Sequence, residues 1–458
     1  MNNGAAKTGG CPVFSFIDCL YRRSMKQVGL LLTVSFCIAA QVVVAQQSES
    51  TLSLQYARRV IDTLTSQALN GRGYVDSGDW KAAHFIQHEL RVAGVQPYND
   101  QYFQDYRLDA NVFPGAKKFS IAGKELVPGI DFLADAGSGP CKGKFKALAI
   151  NKENSDTTYE AVSAIIRKLS TQNNTKILLF IARDSFSKMQ YQLWQQAVAE
   201  SDAFGAVGIV ECSEKKLTWH ASQQQLSWCQ LQYKGPLPIS KNTSVSLSIE
   251  SKWMQQYKTQ NVIGYVKGSS APDSFVVFTA HYDHLGQMGD GTYFPGANDN
   301  ASGTSMVLNL AKYYAANPPS CSVVFIFFSG EELGLLGSQY YVKHPLFPLS
   351  RIKFLLNLDI VGTGDEGIKV VNATEFKSQF DQLVSLNEKE QLLKVVSPRG
   401  KAANSDHYPF YEKGVPCFFI YTMGGISAYH DVLDLPETLP LTEYDDLIKL
   451  LTGFVETF

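Results

Sequence analysis

The sequence carries no excess of charge of either sign. Its 41 lysines and arginines stand against 43 aspartates and glutamates, a formal net charge of −2, which removes the electrostatic case for nucleic acid. Blocks of like charge and low-complexity tracts are absent too, so no segment has the composition of a disordered tail. Cysteine is scarce: five follow Ala45, at positions 141, 212, 229, 321 and 417, and the odd number leaves at least one unpaired. Cys321 and Cys417 border apolar runs and are expected as buried thiols, whereas Cys212 and Cys229 make a plausible disulfide in an exported chain. The zinc-protease helix signature His-Glu-x-x-His is missing as well. His84 and His88 lie four apart, but Phe85, Ile86 and Gln87 separate them, so 79–93 reads as an amphipathic helix with a solvated face.

What is present is a globular composition, 45% hydrophobic with 27 Phe and 22 Tyr over 458 residues, enough for one large domain or two to three ordinary ones. Arg22, Arg23 and Lys26 precede an apolar stretch over 28–45 that closes on Val43-Val44-Ala45. This reads as a cleavable export signal over 1–45, with Met25 as an alternative start. Thr33, Ser35 and Gln41 weaken a membrane anchor, and Cys37 stands in mid-run behind Phe36, where a lipid anchor is not expected. An exported chain, periplasmic or extracellular, with no stable membrane partner is the expectation.

Three textures follow. The helix over 79–93, with Trp80, Ala83, Ile86 and Leu90 on one face, belongs to a first part at 46–109. From 110 to 257, turn signals at 112–115 and 136–140 separate short β-like runs at 145–150, 177–181, 206–210, 236–240 and 245–249. With few ligand-type residues and no motif, this stretch reads as an inserted, non-catalytic, β-rich module. From 258 to 458, continuous apolar runs at 275–278, 323–328, 354–356 and 417–421 suit strands covered on both faces, and helical stretches at 302–315, 334–343 and 376–387 alternate with them. The fold class that results is α/β: a mostly parallel mixed sheet flanked by helices.

Ligands of such sheets sit beyond the carboxyl ends of the strands, and there the metal-ligand residue types gather. His281 and Asp283 follow the first run, Glu331 and Glu332 the second, Asp359 the third. Asp299 stands in Gly296-Ala297-Asn298-Asp299-Asn300, and His430 in Ala428-Tyr429-His430-Asp431. Each has a bland counterpart: a helix cap for Asp299, a dipole partner for Glu331-Glu332, a surface residue for either histidine. Taken together, imidazoles and carboxylates at strand exits suit zinc and ions of similar hardness. One carboxylate can bridge two ions roughly 3.5–4 Å apart. Adjacent glutamates point apart, so one can ligate while the other takes a proton.

In this order, His-x-Asp, Gly-x-x-Asp-x-x-Ser-Gly, Glu-Glu-x-Gly, Asn-x-Asp and Tyr-His, the chain resembles the co-catalytic zinc exopeptidases, the family of bacterial leucyl aminopeptidase, glutamate carboxypeptidase II, glutaminyl cyclase and the transferrin receptor. The match covers 55–108 and 258–458, and the insert resembles a protease-associated domain. The resemblance implies two zinc ions, His281 and Asp359 completing one site, Glu332 and His430 the other, and Asp299 bridging. It implies Glu331 as general base and Asp283 as the residue that orients His281. Ser405-Asp406-His407 matches a supporting segment near the pocket. The tyrosine that precedes it by three in bacterial leucyl aminopeptidase is Ala402 here, leaving Tyr408, Tyr421 and Tyr429 as candidate oxyanion donors. His284 is expected at the surface. The implied activity is a two-zinc aminopeptidase acting on peptides or small proteins. A carboxypeptidase or dipeptidase, which Arg399 and Lys401 keep open, a glutaminyl cyclase, and an inactive receptor-like module are the alternatives. Oligomeric state is left open.

Overall fold

The computed structural model describes Met1 and residues 53–152, 159–170, 176–200, 207–240 and 243–458. Apart from Met1, the expected export signal lies outside the described residues. Among those residues no helix is long and apolar enough to cross a membrane.

Among the described residues, a nine-stranded sheet organises the chain. Its centre is parallel: Cys321–Phe328, Ala271–His281, Ile352–Leu358 and Cys417–Thr422 lie side by side in that order. Every residue of Cys321–Phe328 is buried, as an apolar strand covered on both faces requires. Antiparallel strands finish the two sides: Lys252–Val266 with Phe103–Val112 and Gln96–Pro97 on one, Ile368–Val371 on the other, where Val396–Pro398 pairs parallel with it. Register matters most. His281 pairs with Phe328, and Thr279 with both Ile326 and Asn357. The three central strands therefore end level, and the residues just past their ends share one edge.

Helices cover both faces. Gly303–Ala316 packs on the central strands through Met306, Val307, Leu310, Ala311 and Tyr314, all buried at helical spacing. Tyr444–Val455 packs beside it and against Lys377–Glu390. Gly78–Val92 buries Ala82, Ala83, Ile86 and Leu90 and leaves His84 and His88 exposed.

Strands between Lys117 and Ile249 form a second sheet of eight among the described residues. It is more than β-rich. Four of its strands, Cys141–Ile150, Ile177–Ala182, Val207–Ser213 and Gln230–Lys234, are parallel, and helices Tyr159–Ser170 and Lys188–Ala199 occupy two of the crossovers. The run at 236–240 is not a strand; pairing ends at Lys234, and Pro236 and Pro238 have no N–H for a ladder. One face of this second sheet keeps its own core, with Ile177, Leu179, Trp194 and Ile209 buried under its helices; the other face is shared. Phe113, Trp219, Leu231 and Leu247 cluster with Leu285, Met288 and Phe294 from the other side of the chain, and the Trp219 and Phe294 rings stack at 4.5 Å.

All five cysteines after Ala45 are buried free thiols. The expected Cys212–Cys229 bridge is absent because parallel pairing sets Cys212 beside Tyr233, four residues beyond Cys229. Four residues of strand span about 13 Å, too far for a disulfide. The Cys229 thiol instead neighbours that of Cys141, which, with burial, pushes it up.

Candidate metal centre

His281 is the last residue of its strand, and its Nδ1 lies 3.1 Å from the Asp283 carbonyl oxygen. A carbonyl only accepts, so Nδ1 carries a hydrogen and Nε2 faces the centre. There Nε2 meets Asp299 Oδ1 and Asp359 Oδ1, each at 3.3 Å. His430 repeats the arrangement from a loop. Its Nδ1 lies 3.0 Å from the Trp219 carbonyl oxygen, and its Nε2 meets Asp299 Oδ2 at 3.1 Å and Glu332 Oε2 at 3.3 Å. The two oxygens of Asp299 therefore face different imidazoles.

One N–H cannot aim at two carboxylates, yet each Nε2 has two. A cation between the donors removes the difficulty. Bonds of about 2.0–2.1 Å in a tetrahedral site put neighbouring donor atoms about 3.4 Å apart, close to the spacing found. Glu331 adds a third acid beside His281 and Asp359, its ligand atom within 4.8 Å of theirs. The donor set is also short of positive charge: His281, Asp299, Asp359 and His430 are 1%, 4%, 6% and 6% exposed, and buried carboxylates need a cationic partner. The residues present fit divalent zinc.

Without a cation, protons take its place. Burial works against a charged His281, but Asp359, Glu331, Asp283 and Asp299 outweigh it and hold its pKa well above the usual value. His430 is pushed up to about 11, with Glu332 and Asp299 overcoming its burial. Imidazoles overcome burial at the carboxylates: His281 and His430 hold Asp299 well below its usual range, and His430 with His284 brings Glu332 to about 2. Glu331 goes the other way. Withdrawal from water, with Glu332, Asp406 and Asp359 nearby, raises it well above the normal range against the pull of His281.

Asp283 ties ligand to base. Its Oδ1 accepts the Glu331 backbone N–H at 3.2 Å and stands 3.7 Å from His281 Nδ1, while its Oδ2 accepts the Tyr74 hydroxyl at 3.3 Å. All seven residues expected at the site converge.

Several supports carried no signal in the sequence. His284, expected at the surface, is buried, and its Nδ1 contacts Glu332 Oε1 at 2.7 Å; the turn after His281 brings it under the Glu331-Glu332 loop. Asp434 accepts the backbone N–H groups of Asn298 and Asp299 at 2.9–3.1 Å. Arg72 is fully buried, and its guanidinium donates to five carbonyl oxygens, those of Leu64, Tyr282, Pro295, Gly296 and Asp299. Gly71 and Gly73 let that loop lie on Gly286, whose backbone would be 2.3–2.5 Å from any Cβ at either position. Within Ser405-Asp406-His407, Ser405 makes the direct contact, donating to Asp359 Oδ2 at 2.9 Å. Asp406 accepts from Ser338, and His407 packs on Phe419. Of the candidate tyrosines, Tyr429 lies parallel to the His430 ring at 4.0 Å, while Tyr421 accepts from Arg399.

Residues 261–455 match peptidase family M28. The matched segment holds all seven residues expected at the site. The second sheet and helix Gly78–Val92 lie outside the matched residues. "Aminopeptidase YwaD" of Bacillus subtilis is 35% identical over 172 residues, 37% of this chain. The chain spans about a third of that relative's length, 36%. Over more of the chain the likeness is one of fold. The zinc aminopeptidase BSAP from Bacillus subtilis aligns over 88% of this chain and 94% of its own, with a TM-score of 0.66 and 22% identity. An aminopeptidase from Aneurinibacillus sp. strain AM-1 aligns over 88% and 92%, with a TM-score of 0.60 and 18% identity. The helix-flanked mixed sheet of this chain is the fold of those two aminopeptidases.

Proposed function

We propose that this chain is an exported metallo-aminopeptidase that holds two zinc ions and removes N-terminal residues from peptides or small proteins. The observation that carries the reading is Asp299, whose two oxygens each face a separate imidazole-and-acid pair: His281 with Asp359, and His430 with Glu332. These five residues would hold the ions. Bound zinc polarises a carbonyl and makes water more acidic. Glu331, outside the bridging set and anchored by Asp283 through its backbone, takes the proton of the attacking water and returns it to the leaving amine.

Charge favours the amino end of a substrate. A free C-terminus needs a cationic clamp, and the candidates considered for it are engaged or exposed. Arg72 gives all its donors to carbonyls, Lys216 is bound to Asp431, and Arg399 and Lys401 are exposed, with Arg399 on Tyr421. The test is a panel of aminoacyl anilides against N-blocked dipeptides, with and without a zinc chelator. Cleavage of the anilides alone, abolished by chelation and restored by zinc, is expected. Cleavage of the blocked dipeptides alone would replace this reading with a carboxypeptidase, and cyclisation of N-terminal glutamine without hydrolysis would replace it with a cyclase.

A further inference from the structure

We infer that the inserted module is part of the metal centre: Lys216, Trp219 and His220, in the connection between strands Val207–Ser213 and Gln230–Lys234, are positioning residues that set how tightly the His430 position holds its ion. The inference rests on the metallopeptidase reading above.

The contacts all converge on one loop. The Trp219 backbone is joined to His430 twice, its N–H donating to the His430 carbonyl at 2.9 Å and its carbonyl accepting from Nδ1 at 3.0 Å. His220 brings its own Nδ1 to 3.2 Å from the same His430 nitrogen. Since that nitrogen carries a hydrogen, His220 Nδ1 serves as a second acceptor. Lys216 has three N–H donors and three acceptors, all on this loop: the carbonyls of Ser427 and Tyr429 at 2.9 and 3.1 Å, and Asp431 Oδ2 at 2.5 Å. Asp434, at the far end of the loop, holds the backbone of Asp299, so the restraint extends to the bridging carboxylate.

The insert end of this clamp is rigid. The Trp219 ring stacks on Phe294, and its Nε1–H donates to the Ala134 carbonyl at 2.6 Å. His430 has φ +52°, a left-handed conformation that the surroundings of a non-glycine residue have to impose. Hydrogen bonds to the second nitrogen of a ligating histidine fix its ring and tautomer, and losing such partners lowers metal affinity by roughly 10–100-fold.

The experiment uses the full chain and zinc alone. Zinc stoichiometry and affinity are measured by chelator competition, alongside the visible spectrum of the cobalt(II)-substituted protein and a thermal melt. Expected for Lys216→Ala with His220→Ala is a loss of roughly 10–100-fold in affinity for one of two ions and a changed cobalt spectrum. His220→Asn, whose Oδ1 can accept in place of Nδ1, restores most of what His220→Ala loses. Lys215→Ala, which removes an exposed pair with Asp184, leaves both ions bound as before. A folded double variant that holds both ions like the wild type would overturn the inference. Should the double variant not fold, equal affinities for His220→Ala and His220→Asn would overturn it. A wild-type chain that binds no zinc would overturn the metallopeptidase reading itself, and this inference with it.

Discussion

Asp283 and Glu331 are joined by one hydrogen bond, the Glu331 backbone N–H donating to Asp283 Oδ1 at 3.2 Å. The same residue holds His281, its carbonyl oxygen 3.1 Å and its carboxylate 3.7 Å from Nδ1, so one buried aspartate links the candidate base to a candidate ligand. Glu331→Gln removes the base but none of the five residues assigned to the ions. Its kcat is expected to fall by about 10²–10⁴-fold with zinc content unchanged. Asp283→Asn disturbs both partners, so zinc affinity and kcat are expected to fall together, each by roughly 10–100-fold. Steady-state kinetics with metal analysis separates the two variants.

Arg72 is expected to matter for stability rather than chemistry. Arg72→Ala leaves five buried carbonyls without their donor, a loss of at least about 3 kcal/mol. Arg72→Lys recovers only part, because an ammonium has three donors where guanidinium has five. The denaturation midpoint of the metal-free protein reads both effects.

Zinc binding has to displace the protons that His281 and His430 hold. Affinity is therefore expected to rise with pH, and calorimetry in buffers of different ionisation enthalpy is expected to detect proton release at neutral pH. The sign for stability follows. A histidine pKa raised from about 6.5 in the unfolded chain to about 11 at His430 stabilises the metal-free fold fully below about 6.5. That contribution fades as pH climbs toward 11, so the melting temperature added by zinc is expected to grow with pH.

Removing residues 110–257 is expected to abolish folding rather than widen substrate choice. Leu285, Met288 and Phe294 lose the side chains that cover them, leaving an exposed apolar patch prone to aggregation. Soluble, monomeric, active protein from that deletion would contradict the shared core.

Much of the site was legible in the order of residues. A carboxyl strand end is visible as the close of an apolar run, and His281, Glu331, Glu332 and Asp359 sit just there; the pairing of Thr279 with Asn357 then makes the ends level. Helix Gly78–Val92 and the face it buries were readable from spacing alone. The insert was harder. Its helices Tyr159–Ser170 and Lys188–Ala199 went unread, because short apolar runs separated by polar stretches look alike in both periods. The Cys212–Cys229 pairing failed for a related reason, since strand register is set by neighbours distant in the chain.

The sequence by itself determined the residue types and the edge of the sheet on which they would gather, since strand periodicity and ligand chemistry are local properties of the chain. Only the tertiary structure decided who holds them in place. Arg72 beneath the Asp299 loop, His284 on Glu332, Asp434 on the backbone of Asp299, and Trp219 and His220 on His430 act across 48 to 227 positions of chain. Hydrogen bonds of that kind leave no periodicity and no motif, because each depends on packing that brings a donor and an acceptor together and on nothing that either residue's neighbours reveal.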